Sequence, residues 1–157
     1  MLSKLKKIDI PKNEQTMKTK ETLKSLAATR IAALSTAAAM HIIANQETHP
    51  TLQLERQQAS DRHRHFANGI RIAMEELHDM HTDEATEMVR HLKHIATRLE
   101  RIGIDEILAE HPETAAQQLG KATGLRYAAQ LLADENGIDV DFDIIHYNEP
   151  LQEGGEA

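Results

Sequence analysis

Two consecutive segments of this chain repeat apolar residues in alternating steps of four and three, which is the spacing of a helical heptad seam. The first seam consists of Leu52, Arg56, Ala59, His63, Phe66, Ile70, Ala73, Leu77 and Met80. The second seam consists of Ala85, Met88, Leu92, Ile95, Leu99 and Ile102. The connection HTDE at 81–84 is short, so we predict that the two helices fold back as a long antiparallel hairpin over 50–103. We expect Gly103 to cap its end.

The loop sets the register of this hairpin. With Met80 near Ala85, the expected pairs are Leu77 with Met88, Ala73 with Leu92, Ile70 with Ile95 and Phe66 with Leu99. Each of these side chains contributes roughly 1.5–3 kcal/mol once buried, so the seams can hold the hairpin together. The first seam extends past the second near Leu52, and that end needs another partner.

A helix is predicted before the hairpin at 13–45, preceded by a basic extended arm at 1–12. Apolar residues mark one face of this helix at steps of three and four, namely Leu23, Ala27, Ile31, Leu34, Ala38 and Ile42. The later half of the helix is rich in Ala, so another helix can approach closely there. In the arm, KKIDIP at 6–11 is typical of extended backbone because Pro11 disfavours helix at the residue before it.

Further helices are predicted over 104–137, with Pro112 starting the main one and Gly137 ending it. Small residues recur at every fourth position of this helix: Ala116, Gly120, Gly124 and Ala128. Gly costs up to about 1 kcal/mol in a helix interior, and a flat strip that admits another backbone is the usual physical reason to tolerate it. The alternative is that the two glycines weaken the helix or divide it in two.

The chain then alternates apolar and acidic residues, which predicts a β-strand over 138–147 followed by a flexible tail at 148–157. Its acidic side consists of Asp139, Asp141 and Asp143. A lone strand is not stable, and the other extended candidate carries Lys4, Lys6 and Lys7, which can face these aspartates. Three partners are open for this strand: another part of the same chain, a neighbouring subunit, or another protein by strand addition. The aspartates do not form a calcium loop, because Ile144 stands where that loop needs Gly.

The predicted fold is therefore mainly α: a long antiparallel helical hairpin, flanking N- and C-terminal helices, and one C-terminal β-strand. Aromatic residues are only 3% of the composition and Cys is absent, which favours close-packed helices and removes thiolate chemistry. The net charge of −7 conceals a gradient. Residues 1–30 hold eight Lys or Arg against three acids, and residues 132–157 hold eight acids and no Lys or Arg. The basic start can meet the acidic end, nucleic acid or anionic lipid.

Ten His residues raise the question of a metal site. Glu75 and His78 have the Glu-x-x-His spacing of di-iron bundles, and Glu87 and His91 lie one turn apart. The heptad turns Glu75 away from the seam, so we favour ion pairs of His78 with Glu87 and of Glu75 with Arg90, and expect no metal or cofactor.

The His-rich segment DRHRHF at 61–66 can contact phosphates, although alternate residues of a helix do not share a face. His63 falls on the seam, where it is expected to be a hydrogen-bonded core residue beside Arg56; a pH-dependent assembly switch is the alternative hypothesis. The sequence has no Ser/His/Asp ordering, Gly-rich phosphate loop or nucleotide fingerprint, so we expect no enzyme.

The apolar run IAALSTAAAMHIIA at 31–44 is expected neither to be a secretory signal nor to span a bilayer, which needs about 20 apolar residues. A helix lying on a membrane surface is still compatible with it.

The segment QQLGKATGLRYAAQLL at 117–132, which follows a charged helical hairpin, resembles the C-terminal helices of small bacteriophage virion proteins. The resemblance implies a structural or assembly role in a multi-subunit particle, in a virion or the cytoplasm, with no catalytic residues. We therefore expect a non-enzymatic assembly protein whose partners are other subunits. The expected contact residues belong to the two seams, the small-residue strip, the terminal strand and the basic arm. They are Leu52, His63, Phe66, Ile70, Leu77, Met88 and Leu92, then Ala116, Gly120, Gly124 and Ala128, then Asp139, Asp141 and Asp143, and Lys4, Lys6 and Lys7. The alternatives are a nucleic-acid-associated protein acting through residues 1–30 and a metal-dependent helical-bundle oxidoreductase.

Overall fold

The computed structural model describes residues 12–139, with side chains described from residue 19, and this part of the chain forms four helices and no strand. The helices are α1 (Lys12–Gln46), α2 (Pro50–Asp79), α3 (Ala85–Leu108) and α4 (Pro112–Glu135). Proline stands in the first turn of α2 and of α4, where its missing N–H leaves no hydrogen bond unmade. The helices predicted at 13–45 and from Pro112 are therefore present as α1 and α4.

The four helices form two antiparallel pairs that meet along α2 and α4. In the first pair, the hydroxyl of Ser60 in α2 donates to the carbonyl oxygen of Ala37 in α1 at 2.7 Å. In the second pair, Arg126 of α4 bonds Glu100 of α3 at 2.7 Å. Helices α2 and α4 run parallel through the middle of the fold, because Gly120 lies against His65 and Gly124 lies against Gly69.

The predicted hairpin between the two heptad helices is wrong, since α2 and α3 scarcely touch and α4 packs extensively against both. The seams nevertheless face one shared core. Its buried members from the seams are Ile70, Ala73, Leu77, Met88 and Leu92, and α4 adds Ala122, Leu125, Ala128, Ala129 and Leu132. The reason lies in the glycines: a Cβ on Gly69 would overlap the carbonyl oxygen of Lys121 and lie 2.9 Å from Cα of Gly124. The backbones of α2 and α4 come so close that α4 displaces α3 as the partner of α2.

Gly103 does not cap a helix, because α3 continues through it to Leu108. The residue is buried, and a Cβ there would lie 2.8 Å from the side chain of Leu119. Gly103 thus lets α4 approach α3. The turn that follows contains Glu110, whose φ of 63° lies in the left-handed region.

Helix α1 buries a different face from the predicted one. The residues it buries are Thr22, Leu26, Ala33, Ala37 and Ala44. Small alanines let the α2 backbone come close enough for the bond from Ser60 to Ala37. The face with the larger side chains, including Ile31 and Ile42, is left exposed.

The predicted C-terminal strand is contradicted over the residues that the structure describes, where the chain is entirely helical apart from its connections. Helix α4 ends at a glycine cap: Gly137 has φ 65°, its N–H donates to Asp134, and the N–H of Ile138 donates to Ala133 at 2.9 Å. Ile138 also packs against the core, so it closes the helix instead of starting a strand. The proposed strand partners Asp141, Asp143, Lys4, Lys6 and Lys7 lie outside the described residues.

Candidate protein interaction surface

A row of large apolar side chains lies open to solvent along α1. Ile31 is 64% exposed, Ile42 57% and Leu34 37%, and Ala38 between them is also exposed. These four residues, which we call the α1 stripe, follow one another at steps of three and four and so share one side of the helix. Scattered apolar residues are normal on a protein surface, but a continuous row along one element marks an interaction site.

The stripe is exposed because α1 is apolar on two sides and α2 covers only one. Turning the isoleucines toward α2 would force the two backbones apart and break the hydrogen bond from Ser60 to Ala37. The face of α1 with the small residues Ala33, Ala37 and Ala44 gives the closer packing against α2. The larger side chains are consequently left for another partner.

Three more large apolar side chains, those of Ile43, Leu52 and Leu54, are exposed at the end of the α1–α2 pair. We call these three residues the hairpin tip. Gly120 lies against His65, and the two helices run parallel. His65 is about four turns from the start of α2, whereas Gly120 is only about two turns from the start of α4. The first two turns or so of α2 therefore extend beyond the N-terminus of α4.

Side-chain contacts hold the two helices of the tip together. Arg56 pairs with Glu47 at 2.8 Å, and His41 bonds Gln57 at 2.9 Å. The tip is therefore an ordered, two-helix projection with apolar side chains on its surface.

By length and composition, the part of α1 from Thr19 to Gln46 can also cross a membrane. The sequence prediction considered only residues 31–44, a segment shorter than a membrane span. A single such helix is weak evidence, because core helices and signal sequences have the same composition. Against a span, Arg30 lies within the helix, and the alanine face packs against α2, whose first half carries Glu55, Arg56 and Asp61.

The small-residue strip receives a backbone, as predicted, but it is that of α2 in the same chain. A Cβ on Gly124 would overlap the carbonyl oxygen of Phe66, and one on Gly120 would overlap Cβ of His65. Ala128 is buried and Ala116 is exposed at the end of the strip. The sequence analysis missed Gly69, the matching glycine of α2, although a glycine inside a heptad helix is itself a signal of close approach.

Of the predicted contact residues that the structure describes, most pack inside the subunit. Ile70, Leu77, Met88 and Leu92 are buried in the core. Phe66 is half-buried, with its ring edge-on to that of Tyr127 at 5.5 Å between centroids. His63 is half-buried outside the core cluster, and Arg56 beside it on the seam pairs instead with Glu47. Leu52 and Asp139 are exposed.

The predicted surface ion pairs are replaced by others. Glu75 bonds Arg71 at 2.9 Å, His78 bonds Asp79 at 3.1 Å, and His91 bonds Glu76 at 2.6 Å. Among the side chains that the structure describes, those of residues 19–139, no group of three or more His, Asp or Glu could hold a metal ion.

The sequence did not predict a largely buried ion pair between α3 and α4. Arg126 of α4 makes two 2.7 Å bonds to the carboxylate of Glu100 in α3, and Thr97 accepts a third bond from Arg126 at 3.1 Å. Both side chains of the pair are largely buried. Nothing in local spacing marks this pair, because its partners lie on different helices.

Comparison with protein-family models, curated proteins and solved structures finds no match for this chain. The packing of α2 against Gly120 and Gly124 gives the glycine spacing of residues 117–132 a physical reason within the subunit.

Proposed function

We propose that this chain is a non-enzymatic assembly protein that joins a multi-subunit particle, of the kind found in bacteriophage virions, through helix–helix contacts. The observation that carries the proposal is the α1 stripe, a continuous apolar row on a helix whose other apolar face is already buried. A helix of another subunit is the natural cover, and a second copy of this chain is the first partner to test. In a twofold dimer the same surface of each copy meets the other.

Magnitudes decide how much surface such a contact needs. A fully buried Ile or Leu side chain contributes about 1.5–3 kcal/mol, so two part-covered stripes gain on the order of 6 kcal/mol. Loss of translational and rotational freedom costs about 4–15 kcal/mol. The stripe alone is therefore marginal. A stable assembly also has to bury the hairpin tip, with Ile43, Leu52 and Leu54.

The test introduces charge into the stripe without touching the core. The double variant Ile31→Lys and Ile42→Lys is compared with Ala32→Lys and Thr36→Lys. The second variant adds the same charge at exposed positions of α1 that are not three or four residues from any member of the stripe or the hairpin tip. Light scattering coupled to size-exclusion chromatography should show a fall in mass for the first variant only, with helical circular dichroism unchanged in both. Equal masses for the two variants would remove the stripe as the contact.

A second candidate function, attachment to an anionic membrane surface, is favoured by one observation. Lys20 and Lys24 are exposed and precede Ile31 and Leu34 on the same side of α1, and the helix has the composition of a membrane segment. Lysines beside an apolar face are typical of helices that lie on lipid. Co-sedimentation with vesicles containing anionic lipid, weakened by salt and by Ile31→Lys, supports this function. Unchanged recovery of the protein in the supernatant excludes it.

A further inference from the structure

Helices α1, α2 and α4 enclose a cleft of about 350 Å³ whose lining is cationic and polar. The lining residues are Leu34, Arg64, His65, Asn68, Gln117 and Lys121. None of the six is a carboxylate, whereas the amides and the cations can all donate hydrogen bonds. The cleft lies apart from the hairpin tip and is used by none of the contacts proposed above except through Leu34.

The two charges that act on the pKa of His65 are both positive. Burial lowers the pKa of His65, and the charges of Arg64 and Lys121 lower it further. One carboxylate contacts these cations: Asp61 pairs with Arg64 and also accepts a 3.2 Å hydrogen bond from Gln57. Asp61 does not line the cleft, so the carboxylate neutralises Arg64 from outside and leaves Lys121 and His65 facing the interior.

Two of the lining residues, His65 and Lys121, lie where the backbones of α2 and α4 come closest. A Cβ on Gly120 would overlap His65, and the carbonyl oxygen of Lys121 lies against Gly69. The close contact between α2 and α4 therefore fixes the backbone of both His65 and Lys121. Side chains carried by a fixed backbone are suited to a binding site, because their starting points do not move when a ligand binds.

We propose that this cleft binds a phosphate group. The planar guanidinium of Arg64 matches two phosphate oxygens, Lys121 supplies a point charge, and Asn68 and Gln117 add neutral donors. Because Asp61 already pairs with Arg64, the uncompensated positive charge of the cleft comes from Lys121 and from His65 once it gains a proton. Together these two charges fit a phosphate ester, about −1.5 to −2, better than a single carboxylate. The volume leaves room for a group attached to the phosphate, with Leu34 as an apolar wall. The source is either a small phosphate ester or the backbone of a nucleic acid.

The experiment follows the His65 imidazole resonance by NMR while sodium phosphate replaces sodium chloride at constant ionic strength. A saturable shift is expected, with a higher pKa of His65 in phosphate. Arg64→Gln and Lys121→Gln should each weaken binding about tenfold. Arg62→Gln is the matched control, because it removes the same charge from an exposed position of α2 outside the cleft and should leave the affinity unchanged. Circular dichroism verifies that each variant is folded.

Two further titrations distinguish the sources. Tighter binding of a nucleoside monophosphate than of inorganic phosphate assigns a small ester. Tighter binding of a short single-stranded oligonucleotide, with steep salt dependence and the same residue requirements, assigns a nucleic acid backbone. Absence of a saturable shift with all three probes, or an equal loss in Arg62→Gln, overturns the proposal. The outcome is independent of assembly, since the variant Ile31→Lys and Ile42→Lys should keep its phosphate affinity.

Discussion

Gly69 and Gly124 occupy the point where the backbones of α2 and α4 come closest. A Cβ on Gly69 would meet backbone atoms of Lys121 and Gly124, which cannot rotate away. We expect Gly69→Ala to destabilise the fold by about 3 kcal/mol, the upper end for overpacking, as measured by urea denaturation. Gly103→Ala is the control, because its Cβ would meet only the side chain of Leu119, which can move. Equal losses for the two variants would contradict this packing.

The ion pair between Glu100 and Arg126 joins α3 to α4 with both side chains largely buried. Removing one partner leaves the other charge buried, so Glu100→Ala should lower the free energy of unfolding by roughly 3–5 kcal/mol. The exposed pair of Arg71 and Glu75 provides the comparison, and Glu75→Ala should cost less than about 1 kcal/mol. Similar costs in denaturant melts of the two variants would show that the first pair is not desolvated.

His65 makes the stability of the fold depend on pH. Its pKa in the folded chain is below the ordinary value of 6.5, because of burial and then of Arg64 and Lys121. Below pH 6.5 the unfolded chain therefore binds more protons at this residue, and stability falls as the pH drops. The loss in denaturation midpoint between pH 7.5 and 5.5 should be smaller in His65→Gln than in the unchanged chain. The same loss in both would exclude His65 as the cause.

Helix α1 shows what periodicity can and cannot decide. Apolar residues recur at helical spacing on two faces of α1, and the prediction marked the face with the larger side chains. The structure buries Leu26 and the alanines instead, because small residues allow the closer approach to α2. The choice between two apolar faces depends on the partner helix, and local spacing carries no information about that partner.

The two faces of α1 predict opposite mutational effects. Leu26 is completely buried, so Leu26→Ala should cost about 2–5 kcal/mol of stability. Ile31→Ala should change the stability of the isolated subunit by no more than about 0.5 kcal/mol, because Ile31 is mainly exposed. Thermal melts at a protein concentration low enough to prevent association give both values. A large loss for Ile31→Ala would show that the stripe is buried within the subunit.

The helices themselves could be predicted far better than their partners. Proline and glycine punctuation located the start and end of α4 at Pro112 and Gly137, and the heptads identified α2 and α3. A heptad pattern predicts which face of a helix is buried, but it does not predict which helix covers that face. For this reason the predicted pairing of the two heptad helices is wrong. The strand prediction is wrong at Ile138, the point where the described residues test it, because a helix that ends at Gly137 uses the N–H of Ile138 for its cap.

At the scale of the whole molecule, the two helical pairs enclose one core and leave one helix half covered. The strip of small residues on α4 was expected to serve other subunits, and it is filled by α2. The stripe on α1 belongs to the apolar face that helical spacing marked, and it is exposed. Helical spacing alone does not show which of these two surfaces is covered within the subunit.

The mass of the full-length chain in solution tests the central claim most directly. Sedimentation equilibrium over a hundredfold range of protein concentration should show a mass above that of one 17.6 kDa chain, approaching the monomer only on dilution. The α1 stripe and the hairpin tip should be protected from hydroxyl-radical labelling in the associated form. A monomer at every concentration, with Ile31 and Ile42 freely labelled and no partner required for solubility, would contradict an assembly role.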